Sequence, residues 1–158
     1  MTVVNLALPD AEATARLGRW LGAQLGAGDV LSLEGPIGAG KTHLARALIQ
    51  SRLAALGLSE DVPSPTFTLV QVYEAGTLEI WHADLYRLTH PDEVAELGLD
   101  TAFGSALCLI EWPDRLGSHR PAHAITLRLS ADGDARRAVI DGLPPALTAE
   151  LQQGLPDV

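Results

Sequence analysis

The chain has 158 residues, of which 47% are hydrophobic, and its formal net charge at pH 7 is −9. This size and hydrophobic content are typical of one globular domain, so we expect residues 1–158 to share one core. The acidic charge disfavours a protein that binds a nucleic-acid backbone alone, because such binding needs a clustered basic face. The single cysteine, Cys108, excludes an internal disulfide. No apolar run reaches the roughly 18 residues of a membrane-spanning helix, so we expect a cytoplasmic protein without membrane contact.

The first third of the chain alternates between predicted strands and helices. The hydrophobic pattern predicts a strand over 3–8, a helix over 11–25, a strand over 29–33 and a helix over 41–56. A glycine-rich loop joins the second strand directly to the second helix. Strand, loop and helix in this order are the opening unit of an α/β fold.

Strands predominate in the remainder of the chain. The predicted elements are strands over 66–73 and 77–86, a helix over 91–97, a strand over 106–112, and strands over 124–130 and 135–142. The first two and the last two of these strands are predicted hairpins, because only short turns separate them. From Leu143 the sequence is rich in Pro, Gln and Gly, and we expect this tail to fray.

A phosphate-binding motif lies between the second strand and the second helix. Gly35, Gly40, Lys41 and Thr42 fit the pattern G-x-x-x-x-G-K-[ST], the P-loop. The glycines allow successive backbone N–H groups to converge on an anion, and the helix beginning at Lys41 adds its positive end. An ordinary glycine turn that caps a helix is the alternative interpretation. The residues expected at the nucleotide are Ile37, Gly38, Ala39, Gly40, Lys41, Thr42 and His43.

Lys41 is the only lysine in the chain. A lysine ammonium is a compact charge on a long stem that can reach the β and γ phosphates, whereas the planar fork of arginine is too wide for the same loop. The motif therefore predicts a P-loop NTPase-like fold in three layers, with a mixed, largely parallel central sheet and β-hairpin additions.

Two predicted strands end in an acid. Asp84 follows the run "LEIWHA" and Glu111 follows "ALCLI", and the carboxyl ends of buried strands form the edge where α/β sheets bind ligands. The hydroxyl of Thr42 and either acid could hold Mg²⁺, while the other acid orients or deprotonates the attacking water. A surface or capping role is the alternative for each acid. His82 shares a face with Asp84, and a structural role is the simpler interpretation for that histidine.

Four blocks of the chain, "GAGKT", "SPTFTLV", "HADLYRL" and "CLIEWPDRL", together resemble the TsaE (YjeE) family of bacterial ATPases in tRNA threonylcarbamoyladenosine biosynthesis. The resemblance implies a P-loop α/β fold that uses ATP and Mg²⁺. It also implies a complex with the TsaB and TsaD proteins, which installs the threonylcarbamoyl group on the adenosine beside the anticodon. Contact with tRNA is then expected only through those partners.

The resemblance also implies roles for single residues. Lys41 and Thr42 correspond to the phosphate and metal ligands, and Asp84, Glu111 and Trp112 to the catalytic residues, with Asp84 and Glu111 also near the metal.

Further positions follow from the same resemblance. It implies nucleotide contacts from Thr14, in the first helix, and from Arg136, in the last hairpin. Two departures from the family pattern are Pro36, where an acid is usual, and His43, where a second threonine is usual. Neither removes a phosphate or metal ligand, but both could change turnover.

Three other functions compete with an ATPase. A GTPase is disfavoured, because the guanine-reading pattern N-K-x-D needs a second lysine. A small-molecule kinase would need arginines on a mobile lid, and no insertion of that length is present. A nucleotide-dependent structural switch stays open, with the loop "PSPTFT" as a candidate sensor of the γ phosphate.

Overall fold

The computed structural model describes residues 3–157, which form one sheet of seven strands with helices on both faces. The strands are β1 (Val3–Leu8), β2 (Val30–Glu34), β3 (Val70–Ala75), β4 (Leu78–Asp84), β5 (Leu107–Glu111), β6 (Ile125–Asp132) and β7 (Ala135–Asp141). The helices are α1 (Ala11–Gln24), α2 (Lys41–Ala54), α3 (Glu93–Glu96), α4 (Leu99–Ala102) and α5 (Pro145–Gln152), and a 3₁₀ segment covers Pro113–His119. None of the helices in this described range is long and apolar enough to cross a bilayer.

The strand order is β1-β7-β6-β2-β5-β4-β3, and five of the seven strands run in the same direction. The central strands β6, β2, β5 and β4 pair in parallel. β3 and β7 are the antiparallel partners of β4 and β6, and β1 lies at the far edge against β7. The predicted sheet with its two hairpins is therefore confirmed, and the carboxyl ends of the parallel strands share one edge.

Side chains of β5 alternate between two apolar clusters. Leu107 and Leu109 belong to the cluster that includes α1, α2 and α5, whereas Cys108 and Ile110 belong to the cluster that includes α3 and α4. A strand that is buried on both faces has a nearly continuous apolar sequence, as this strand does. The three-layer prediction is confirmed, and Cys108 is a core side chain, as expected.

Helices α1 and α2 pack closely over one face of the sheet. Asp10 caps α1 by accepting the N–H of Ala13 at 2.8 Å, and the apolar stripe of α1 is buried against the sheet and α2. Gly18 faces the backbone of α2, because a Cβ built there would lie 2.5 Å from the backbone oxygen of Leu44.

Gly18→Ala is therefore expected to destabilise the protein. Alanine gains about 1 kcal/mol over glycine in a helix interior, but overpacking against a helix backbone costs about 1–3 kcal/mol. We expect the cost of the clash to exceed the gain in helix propensity, so the free energy of unfolding should fall. Chemical denaturation would measure this change. Gly26→Ala is the matched control, since a Cβ there meets nothing within 4 Å. Equal stabilities of the two variants would contradict this account of the helix contact.

Two predicted segments differ from the sequence-based expectation, and α4 and the 3₁₀ segment were not predicted. Residues 66–69, predicted as the start of a strand, form a turn in which the N–H of Leu69 donates to the carbonyl of Pro65 at 2.7 Å. Leu69 has a positive φ of 66°, so the strand begins only at Val70. The tail predicted to fray from Leu143 instead contains α5, whose Leu151 is fully buried in the core. Its packing partners lie far away in sequence, so composition alone could not reveal this helix.

His119 links the 3₁₀ segment to α3 and α4. Its ring nitrogens lie 3.4 Å from a carboxylate oxygen of Asp92 and 3.3 Å from one of Asp100, and His90 lies 3.6 Å from Asp92. The hydrogen bond with Asp92, followed by the influence of Asp100, raises the pKa of His119. The protonated ring is thus favoured by folding.

Stability should therefore depend on pH through His119. Because its pKa is raised in the folded protein, its contribution is complete below the ordinary value of about 6.5 and is lost as pH rises through the raised value. We expect His119→Gln to lower the melting temperature more at about pH 6 than at about pH 9. A difference between variant and parent that does not change with pH would contradict this.

Candidate functional site

The P-loop joins the end of β2 to the start of α2. Gly35, Gly38 and Gly40 have positive φ values of 142°, 82° and 105°, which glycine adopts without strain. A Cβ at Gly35 would strike the backbone oxygen of Leu129 in β6, so no side chain fits there. These turns let the loop present its N–H groups beside the N-terminus of α2, an arrangement that binds anions.

Lys41, the first residue of α2, is only 5% exposed and folds back over its own loop. Its ammonium donates to the carbonyl oxygen of Gly35 and, at 3.1 Å, to that of Pro36. The same Nζ lies 4.0 Å from the centre of the Trp112 ring, a cation–π contact. Burial lowers the pKa of Lys41, and two nearby carboxylates act in the opposite direction. The ammonium is thus held by neutral groups that phosphate oxygens can replace.

Asp84 and Glu111 are direct neighbours at the ends of the parallel strands β4 and β5. The hydroxyl of Thr42 donates to the two oxygens of Glu111, at 2.9 and 3.0 Å. Glu111 is 2% exposed. This contact connects the first turn of α2 to the edge of the sheet where the acids were predicted.

Asp84 has a different set of partners. It accepts the backbone N–H of Tyr86 at 3.0 Å and the hydroxyl of Thr66 at 3.4 Å. Burial raises the pKa of Asp84 and the nearby charge of Glu111 adds to the rise, while the bond from Tyr86 opposes it. A carboxylate with a raised pKa is a better proton acceptor, which suits a general base.

The chemistry of this edge fits Mg²⁺. Thr42, Asp84 and Glu111 offer hydroxyl and carboxylate oxygens, the hard ligands that this ion prefers. Within residues 3–157 there is no group of three or more His, Cys, Asp or Glu side chains that could hold a metal ion. In nucleotide sites the protein supplies only one or two ligands, because phosphates and water supply the others.

One cavity of about 440 Å³ brings most of the predicted residues together. A volume of this size is ordinary for a small-molecule site. Its lining consists of Ile37, Gly38, Gly40, Lys41, Thr42, His43, Ser64, Thr66, Asp84, Tyr86, Glu111 and Trp112.

Three predicted residues are not among those that line this cavity, whereas His43 is. Ala39 is buried, and Thr14 is buried beside the P-loop, 3.7 Å from where a Cβ of Gly40 would lie. Arg136 donates to the carbonyl of Gly38 at 3.2 Å. The exposed ring of His43 lines the cavity, but its Nε2 lies 2.9 Å from the carbonyl oxygen of Ala11.

Two residues beside the site were missed or undervalued in the sequence. Tyr86 stacks at a tilt on Trp112, with 4.9 Å between ring centres, and its place two residues after Asp84 was the available signal. His82 was interpreted as a structural residue, yet its Nε2 lies 2.6 Å from a carboxylate oxygen of Glu111. The shared face of His82 and Asp84 indicated this proximity only in part.

Comparison with known proteins yields a consistent set of relatives. The family model described as "Threonylcarbamoyl adenosine biosynthesis protein TsaE" matches residues 8–139. Two curated proteins named "tRNA threonylcarbamoyladenosine biosynthesis protein TsaE" are each 36% identical to this chain. The one from Treponema pallidum (strain Nichols) aligns over 82% of this chain and 93% of its own length. The one from Bacillus subtilis (strain 168) aligns over 81% and 78%.

A solved structure agrees with these sequence matches. The crystal structure of Bacillus subtilis YdiB superposes with a TM-score of 0.73 and 25% sequence identity, covering 96% of this chain and 94% of that chain. The family model spans the P-loop, both strand-end acids and Arg136. The chain therefore belongs to the TsaE family and has its nucleotide-binding, P-loop NTPase-like fold.

Proposed function

We propose that this protein binds and hydrolyses ATP with Mg²⁺ in the threonylcarbamoyladenosine modification of tRNA. The observation that carries the proposal is the convergence of Lys41, Thr42, Asp84 and Glu111 on one cavity beside the P-loop. Membership of the TsaE family supports the pathway.

The geometry supports a division of roles among the four side chains. Lys41 leaves the loop carbonyls and the Trp112 ring to pair with the β and γ phosphates. Thr42 and Glu111, already hydrogen-bonded to each other, would hold Mg²⁺. When bound, this ion would offset the negative charge of the phosphates. Asp84, with its raised pKa, orients the attacking water and accepts its proton.

A complex is part of the proposal. The net charge of −9 disfavours direct tRNA binding, since affinity for the nucleic-acid backbone depends on phosphate neutralisation. The groups described in this site are directed at a nucleotide and not at a carbamoyl donor or an adenine acceptor. We therefore propose that the protein acts in the cytoplasm with TsaB and TsaD, which hold the tRNA, and that its ATPase is slow alone.

Phosphate release with and without TsaB, TsaD and tRNA tests this proposal, beside a tRNA anisotropy titration of the purified chain. We expect weak turnover alone, faster turnover in the mixture and negligible tRNA binding at physiological salt. An ATPase rate that is the same with and without the partners, or tight tRNA binding by the purified chain, would contradict the proposal. Transfer of phosphate to a small molecule would favour the kinase alternative, and binding without hydrolysis would favour the switch.

A further inference from the structure

His82 lies beneath the P-loop helix, next to Glu111. Its side chain is fully buried, and its Nε2 is 2.6 Å from Oε2 of Glu111. The register of β4 and β5 places His82 opposite Leu109, and Glu111, two residues further along, points to the same face. His82 therefore reaches the carboxylate from the sheet, whereas Thr42 reaches it from α2.

The hydrogen-bonding capacity of the groups sets the direction of this contact. A carboxylate only accepts hydrogen bonds, so the proton lies on Nε2 of His82 and is donated to Glu111. The hydroxyl of Thr42 donates to the same carboxylate. Nδ1 of His82 has no hydrogen-bond partner among the described residues, so the contact with Glu111 is the one that orients the ring.

A fixed carboxylate matters here because Glu111 and the cation Lys41 line the same cavity. A glutamate side chain has three rotatable bonds, and the ammonium of Lys41 is near enough to be influenced electrostatically by Glu111. Rotation of Glu111 toward Lys41 would withdraw its oxygens from Thr42. It would also engage the cation that the phosphates need. The Nε2–H of His82, which is carried by the sheet, opposes this rotation and does not depend on the P-loop for its position.

We propose that His82 is a positioning residue for ATP hydrolysis, whose Nε2–H holds the Glu111 carboxylate in the orientation it shares with Thr42. The proposal rests on the proposed ATPase function. Partners that orient a ligating carboxylate typically change metal affinity or activity by about 10–100-fold when they are removed.

Two substitutions separate positioning from packing. His82→Leu removes the donor, and we expect kcat to fall about tenfold or more, with KM for ATP little changed and a higher Mg²⁺ concentration needed for half-maximal activity. His82→Gln keeps an amide N–H at a similar reach, so it is expected to restore most of kcat. His90→Leu, at an exposed histidine, is the control and should match the parent. Parental kcat in His82→Leu, or equal loss in His82→Gln, would overturn the proposal.

A spectroscopic measurement on the parent protein tests the same contact. It does not depend on ATPase activity or on the folding of the His82→Leu variant. In ¹⁵N NMR of the histidine rings, recorded without nucleotide or metal, we expect a proton on Nε2 of His82. The signal is assigned by its loss in His82→Gln, and it should shift in Glu111→Gln. A proton on Nδ1 alone, or no response to Glu111→Gln, would overturn the proposal. Absence of ATPase activity in the parent would instead refute the proposed function. The NMR result tests the hydrogen bond from His82 to Glu111 independently of that activity.

Discussion

Lys41→Ala is expected to weaken ATP binding by about 100-fold or more, equivalent to about 2.7 kcal/mol, as measured by calorimetry. Lys41 is the only lysine in the chain, so no other ammonium can replace it at the phosphates. Its Nζ lies between the loop carbonyls and the Trp112 ring, and it would exchange these neutral contacts for phosphate oxygens when ATP binds.

Lys41→Arg is the matched control for charge. It keeps the positive charge but replaces a compact ammonium with a planar fork, so we expect affinity to remain well below that of the parent. Thermal unfolding of both variants separates a binding defect from a folding defect. ATP affinity of Lys41→Ala within a few-fold of the parent would show that the site assignment is wrong.

Asp84→Asn is expected to lower kcat for ATP hydrolysis by about 10²–10⁴-fold, the usual range for loss of a general base. The asparagine has nearly the same shape and can still accept the N–H of Tyr86, so the fold and ATP affinity should persist. Removing the base affects the attack by water and not the contacts of the phosphates with the P-loop.

The control for this variant is Asp141→Asn, at an exposed acid at the end of β7. We expect its kcat to equal that of the parent. Steady-state turnover of Asp84→Asn at the parental rate would remove Asp84 from the mechanism. A large loss of ATP affinity in Asp84→Asn would instead show that Asp84 contributes to ATP binding and not to the hydrolysis step.

The sequence was most informative where function depends on local spacing or strand direction. The P-loop pattern around Lys41 predicted the strand, loop and helix, because glycines at those spacings are typical of the loop that joins a strand to a phosphate-binding helix. Asp84 and Glu111 could be placed together because parallel strands end at the same edge. The structure was needed to show the register of the two strands, in which Asp84 and Glu111 are direct partners.

The sequence did not reveal one local backbone turn or the contacts between distant segments. The positive φ of Leu69 and the turn before it interrupt a stretch of residues with high strand propensity. Trp20 of α1 donates to Glu150 of α5 at 3.4 Å across 130 positions, which no local pattern encodes. The contact of His82 with Glu111 depends on the pairing of two strands, so periodicity alone left its role open.

A crystal structure of the protein with Mg²⁺ and a non-hydrolysable ATP analogue would test the central claim most directly. We expect the β and γ phosphates within the P-loop, Nζ of Lys41 withdrawn from the carbonyl of Pro36 and bound to phosphate oxygens, and Mg²⁺ at Thr42 and Glu111. A nucleotide bound outside this cavity, or Lys41 still on its loop carbonyls with the analogue present, would contradict the account.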